Sequence, residues 1–227
     1  MFIVFNFYLS IYVVNLFMSR RSKHKICEPK GIIMHKNSWI IIIGYSGSGK
    51  TTVSELLNRR GFISFEFSTY FRDTLNLGSE QREEMTKKVE EYIHSKGRIT
   101  YILDFISWVE KKIPDTYEKP IFLIGARNSD DIRILKSLRP IIFCIYLDSS
   151  VENRTNRIIK RNRTIDKEIV DNIETKSNVE ITSGIKKCIE EHTNFVIENE
   201  GKIQDLIRNV DQFINYLERS NGFQGDS

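Results

Sequence analysis

Nine residues, GYSGSGKTT from Gly44 to Thr52, follow directly on the β-branched run WIIII at 39–43. Glycine, four residues, then Gly49-Lys50-Thr51 between a strand and a helix signal fixes what the chain can build there. Glycines let a tight loop turn its backbone N–H groups inward, around the β-phosphate of a nucleotide. The helix that opens at the loop adds a favourable dipole. Lys50 is placed to bridge the β- and γ-phosphates, the Thr51 hydroxyl to ligate Mg²⁺, and Thr52 to touch the α-phosphate. Gly44, Ser46, Gly47, Ser48, Gly49, Lys50, Thr51 and Thr52 are therefore the candidate ATP-binding set. The loop leaves one question open: whether the terminal phosphoryl group goes to water, to a protein or to a small molecule.

The rest of the chain alternates strand and helix signals. Residues 51–60 pattern as a helix with Val53, Leu56 and Leu57 on one face and Gly61 as its stop. FISFEF (62–67) reads as a second strand, PIFLIG (120–125) as a third, PIIFCIYLD (140–148) as a fourth and NFVIEN (194–199) as a fifth. Between them lie a charged helical region at 70–112 broken near Gly78 and Gly97, a helix at 129–138 with Ser129 as its N-cap, an arginine-rich stretch at 150–163, helices over much of 166–192, and an amphipathic helix at 202–218. Strands separated by helices imply an α/β fold, a parallel sheet with helices on both faces.

The chain has 227 residues, 40% hydrophobic and 28% charged, with a net charge of +4. That suits one domain, here 38–220, and an anionic ligand, and gives no reason to expect a nucleic-acid partner. Cys27, Cys144 and Cys188 are far apart, without metal or disulfide spacing, and read as small apolar fillers in a reducing cytoplasm. The four histidines form no cluster. Residues 1–18 are apolar and uncharged, interrupted by Asn6, Ser10 and Asn15, and SRRSKHK follows. This run just reaches spanning length, with basic residues that would keep the main domain cytoplasmic. Met18 and Met34 are alternative starts. Residues 1–37 are taken as an extension without a role in the chemistry, and only 1–18 would contact a membrane. The tail 221–227 is expected to fray.

Three further stretches carry a resemblance to the P-loop small-molecule kinases, the nucleoside monophosphate kinases and dephospho-CoA kinases. FEFSTYFRDTL resembles the acceptor turn, in which Arg72 would grip an acceptor phosphate. FLIGARNSDDIRIL resembles the DG-x-R segment, which sets Arg127 against the transferring or acceptor phosphate. DSSVENRTNRIIKRNRTID resembles the lid, giving Arg154, Arg157, Arg161 and Arg163 over ATP, with Arg163 and Asp166 as an alternative hinge pair. NFVIENEG resembles the last strand and its turn, with Asn199 beside the adenine. The resemblance implies a five-stranded parallel sheet in the order 2-3-1-4-5, acceptor-binding helices at about 70–112 and a lid at about 150–165. It also implies an ATP- and Mg²⁺-dependent phosphotransferase with Lys50, Arg127, Arg157 and Arg161 as catalytic cations, acting as monomer or dimer on a small acceptor.

Two positions depart from the pattern. Ile124 stands where the family has an aspartate, and Ser68 where dephospho-CoA kinases have a carboxylate base; Glu66, on the same strand face two residues earlier, is the candidate replacement. An acceptor phosphate needs no base, whereas a hydroxyl gains from one. The expected acceptor is a (deoxy)nucleoside monophosphate, with dephospho-CoA the alternative and a regulatory NTPase acting on a protein the reading from another class. Glu66, Ser68, Arg72 and Arg127 form the candidate acceptor set. Competing readings are a solvated basic face for Arg154, Arg157 and Arg161, ion pairs with Asp130 or Asp131 for Arg127, and pairs with Asp73 or Glu66 for Arg72. Asp148 would be either a metal-ordering carboxylate or the cap of the next helix. Asp104 would wall the acceptor site or lie on the surface. Tyr70, Phe71 and Tyr101 would either stack on a base or join the core with Trp39 and Trp108.

Overall fold

The computed structural model describes residues 38–75, 82–139, 142–161 and 184–220. Its centre is β1 (Trp39–Ile43), buried at every position. Side chains alternate across a strand, so β1 feeds two cores. Ile40 and Ile42 join one cluster, and Trp39, Ile41 and Ile43 the other. A strand buried on both faces must be apolar throughout, which is why WIIII shows no polar alternation.

The remaining strands are β2 (Ile63–Glu66), β3 (Ile121–Ile124), β4 (Ile142–Asp148) and β5 (Phe195–Glu198). All pairs are parallel, in the expected order β2-β3-β1-β4-β5. The first core packs under α1 (Lys50–Arg59) and α8 (Ile203–Ser220), through Val53, Leu57, Val210 and Phe213. The second packs under α4 (Arg98–Glu110), α5 (Ser129–Leu138) and α7 (Ile185–His192), through Ile102, Phe105, Leu135 and Cys188. β3 and β4 flank β1 on opposite sides, so the chain reverses direction across the sheet at the carboxyl end of β1. Open α/β sheets bind ligands at that crevice.

Several local expectations change. β2 ends at Glu66, and α2 (Phe67–Leu75) begins on the next residue; Phe67 stacks on Phe105 at 4.2 Å instead of extending the strand. The helical region consists of α2, α3 (Arg82–Lys96) and α4, separated at Gly97 and at residues outside those described. The cap of α5 is Asn128, whose Oδ1 accepts from the Asp130 N–H at 2.8 Å; Ser129 is already inside the helix. There its hydroxyl meets the buried ring of His192 at 3.0 Å, tying α5 to α7. Tyr70 and Tyr101, at 3% and 2% exposure, belong to the core, and Phe71 stacks on Tyr101. Base stacking by the two tyrosines is therefore excluded in this arrangement. Cys144 and Cys188 are buried, and desolvation pushes their thiols up to about 11 and about 12. The helix α6 (Val151–Arg161) covers the described part of the expected lid. Residues 1–37, Cys27, Arg163, Asp166, most of 166–192 and the tail lie outside the described residues. Among the described residues, no helix is long and apolar enough to cross a membrane.

Phe122 on β3 is fully buried and meets Phe62 edge-on at 5.5 Å. Replacing it with alanine should cost about 3–5 kcal/mol, the usual loss for a truncated core phenylalanine. Urea unfolding of the wild type and Phe122→Ala measures this directly.

Candidate functional site at the carboxyl edge of the sheet

β1 delivers Gly44 to the top of the sheet, and the loop 44–49 turns there into α1. Gly47 and Gly49 hold φ of 77° and 100°, a region that side chains disfavour. Space forbids a side chain as well. A Cβ on Gly47 would lie 2.6 Å from the Arg154 carbonyl oxygen, and one on Gly49 2.5 Å from Asn199 Nδ2. α1 opens without a side-chain cap and without an acidic residue in its first turn, so the positive end of its dipole faces the loop. Lys50 folds back over the loop, its Nζ donating to the carbonyls of Gly44 at 2.7 Å and Tyr45 at 2.8 Å. Ser48 Oγ is buried and has no hydrogen-bond partner among the described residues. Thr51 is exposed on the first turn and Thr52 half-buried.

This donor set fits a chelated triphosphate. The loop is tightly turned, an ammonium lies across it, and the exposed Thr51 stands on the first turn of the helix. Among the described residues no group of three or more His, Cys, Asp or Glu could hold a metal. Mg²⁺ would be held by Thr51, by substrate phosphate and by water, the usual division for that ion.

The β4–α6 junction lies against the loop. Ser150 caps α6: its carbonyl accepts from the Arg154 N–H at 3.0 Å and its Oγ from the Asn153 N–H at 3.3 Å. Asp148 is thus not the cap; it accepts a hydrogen bond from the Tyr146 hydroxyl at 2.8 Å. Burial, and then the Asp148 charge, raise the pKa of that phenol. Arg154 and Arg157 share one helix face, as their spacing requires, yet that face is not solvated. Arg154 is only 8% exposed. Its guanidinium donates to the Ser149 carbonyl at 3.2 Å and the Ser46 carbonyl at 3.4 Å, and lies 4.7 Å over the Tyr45 ring. Arg157 donates to Ser149 Oγ and the Asn199 carbonyl, both at 2.7 Å, and burial lowers its pKa. Glu200 binds Asn153 Nδ2 at 2.6 Å and Ser150 Oγ at 2.8 Å; burial raises its pKa, but these bonds outweigh it and the net shift is downward. Arg161 ends α6, and its side chain lies outside the described set.

On the other side of β1, Glu66 ends β2 in register with buried Ile124 of β3. Ser68 Oγ donates to its carboxylate at 3.1 Å. Arg72 follows on α2, half-buried; Asp73, a competing partner for it, pairs with Lys112 at 3.4 Å. Arg127 is exposed just beyond β3. Nearby, Asp130 pairs with Arg133 and Asp131 with Arg98, each at 2.6 Å. Asp104 is exposed and accepts from the Tyr92 hydroxyl, tying α4 to α3 and pushing that phenol up to about 12. The sheet thus sorts the candidates. The phosphate loop, Arg154, Arg157 and Asn199 gather over β1, β4 and β5, while Glu66, Arg72 and Arg127 lie over β2 and β3. Tyr45, Ser149 and Glu200 complete the cluster beside the loop and were not singled out from sequence. Only the serine pair after β4, two capping residues before an arginine helix, left a usable signal.

No protein-family model matches the chain. UPF0200 protein PAE1629 of Pyrobaculum aerophilum is 22% identical over 173 residues, spanning 75% of this chain and 93% of its own length. A shikimate kinase from Acinetobacter baumannii, solved with shikimate, aligns with a TM-score of 0.50 and 18% identity over 79% of this chain and 93% of its own. A shikimate kinase from Bacteroides thetaiotaomicron gives 0.49 and 16%, over 80% and 98%. The chain shares the fold of the Acinetobacter protein, a five-stranded parallel sheet flanked by helices, as the resemblance implied.

Gly49→Ala should destabilise the protein by about 1–3 kcal/mol, the usual cost of a side chain in a left-handed position, and should displace Asn199. Chemical denaturation, together with calorimetric ATP titration, would show both a stability loss and a weaker complex.

Proposed function

We propose that the chain is an ATP- and Mg²⁺-dependent phosphotransferase that moves the γ-phosphoryl group to a small acceptor, in the first instance a (deoxy)nucleoside monophosphate. The observation that carries this reading is the placement of Arg127 just beyond β3, the neighbour of the strand that bears the phosphate loop, and of Arg72 beyond β2, the strand after it on the same side of the sheet. Two cations on the acceptor side suit an anionic small molecule, and a switch acting on a protein partner has no need of them.

The chemistry asked of the chain is positioning and charge stabilisation. Lys50 exchanges its two carbonyl partners for phosphate oxygens and follows charge as it moves to the leaving oxygen. Arg127 and Arg72 hold the acceptor in line. Bound Mg²⁺ would offset charge on the bridging phosphate oxygens. A phosphate acceptor supplies its own anionic nucleophile, so no proton need be removed.

A second reading, a hydroxyl acceptor such as dephospho-CoA, is favoured by Glu66. Its carboxylate lies at the carboxyl edge beside Ile124, held by Ser68, where a general base would be needed.

A coupled ADP-release assay against nucleoside monophosphates, deoxynucleoside monophosphates and dephospho-CoA tests both readings. Lys50→Ala should abolish transfer and keep the wild-type circular dichroism; full activity in that variant would refute the mechanism. Glu66→Gln should slow a hydroxyl acceptor by about 10²–10⁴-fold, the usual worth of a general base, and a monophosphate by far less. ADP release that no acceptor stimulates would turn the assignment toward a regulatory NTPase, the reading that buried Ile124 at the aspartate position would then explain.

A further inference from the structure

Asn199, read from sequence as a neighbour of the adenine, is 5% exposed and has its polar groups engaged by the protein. Its N–H donates to the Asp148 carbonyl at 2.8 Å. Its carbonyl accepts from Ser149 Oγ at 3.0 Å and from Arg157 at 2.7 Å. Its side-chain Oδ1 accepts from the same arginine at 3.3 Å, and Nδ2 donates to the Ser48 carbonyl at 2.8 Å. Ser48 lies between the two left-handed glycines of the phosphate loop.

We propose that Asn199 is a positioning residue that aims a phosphate-loop amide at the nucleotide, and that Arg157 locks Asn199 in the orientation this requires. The inference rests on the ATP-binding part of the proposed function. In a trans peptide the C=O and the following N–H point in opposite directions, and no cis peptide occurs among the described residues. Drawing the Ser48 carbonyl out toward Asn199 therefore turns the Gly49 N–H the other way, into the loop where a β-phosphate would lie. An asparagine amide has two orientations, related by a flip that exchanges oxygen for nitrogen. Arg157 has only donors to offer, so it holds Oδ1 on its own side and leaves Nδ2 for Ser48. The same contact explains the packing at Gly49, where a Cβ would run into Nδ2. Arg157 thus acts on the phosphate site through Asn199. Its guanidinium is already committed to Ser149 and to both oxygens of Asn199.

Asn199→Asp separates the two contacts. The carboxylate keeps Arg157 but offers an acceptor to the Ser48 carbonyl, which repels it. ADP titrated by calorimetry, at a temperature where circular dichroism shows each protein folded, should bind this variant more than about tenfold more weakly, the worth of one hydrogen bond to a charged group. The ³¹P resonance of the β-phosphorus of bound ADP should shift, and that of the α-phosphorus much less. Arg157→Lys keeps the charge but loses the bidentate grip, and should weaken ADP about three- to tenfold with the same β-phosphorus signature; it carries the comparison if Asn199→Asp does not fold. A loss of thermal stability with unchanged ADP affinity and unchanged ³¹P shifts would overturn the inference and leave the kinase reading standing. Failure of the wild-type protein to bind ADP would overturn both.

Discussion

Everything at the site depends on where β1 ends. Five buried residues with cores on both faces leave the strand no freedom to slide or tilt, because a shift of one position would exchange its two hydrophobic faces. The strand thereby fixes Gly44, and the loop must then reach α1 through two left-handed residues. The burial of an apolar run and the conformational freedom of two glycines together set the tight loop 44–49 at the one edge of the sheet where connections diverge. Arg72 and Arg127 on one side and the arginine helix on the other are arranged around that fixed point.

The two arginines nearest the loop show how charge is used here. Bringing Arg154 and Arg157 out of water is costly unless their donors are satisfied, and carbonyls and hydroxyls of Ser46, Ser149 and Asn199 satisfy them. These partners are neutral oxygens, and the nearby Glu200 carboxylate offsets part of the Arg157 charge. The arginines serve both as braces for the loop and as a source of positive potential where a polyphosphate would lie.

Much of this was legible in the sequence, for identifiable reasons. The strand order followed from the resemblance. The elements followed from runs such as WIIII and FCIYL, whose dense apolar and β-branched side chains suit a strand buried on both faces. The phosphate loop was legible because each of its residue types answers a separate physical demand. Contact partners were not. The spacing of Arg154 and Arg157 fixed a common helix face but not whether it met water or the loop. Asn128 and Ser129 are adjacent capping residues, and nothing local chose between them. Tyr70 and Tyr101 have an apolar body and a polar tip, which suits a core as well as a ligand pocket; packing of Tyr70 against Phe105 and Trp108, and of Tyr101 against Tyr70 and Phe71, decided it. The hydrogen bond from Asn199 to the Ser48 carbonyl was not legible, because the sequence does not show that this carbonyl comes within its reach.

The central claim is that the γ-phosphoryl group passes to a small molecule. Its most direct test is to follow γ-³²P-labelled Mg-ATP with the protein and each acceptor in turn, and to measure how the label divides between acceptor and inorganic phosphate. The account predicts label on one acceptor, with little released to water while that acceptor is present. Label appearing only as inorganic phosphate, at the same rate whatever is added, would contradict it.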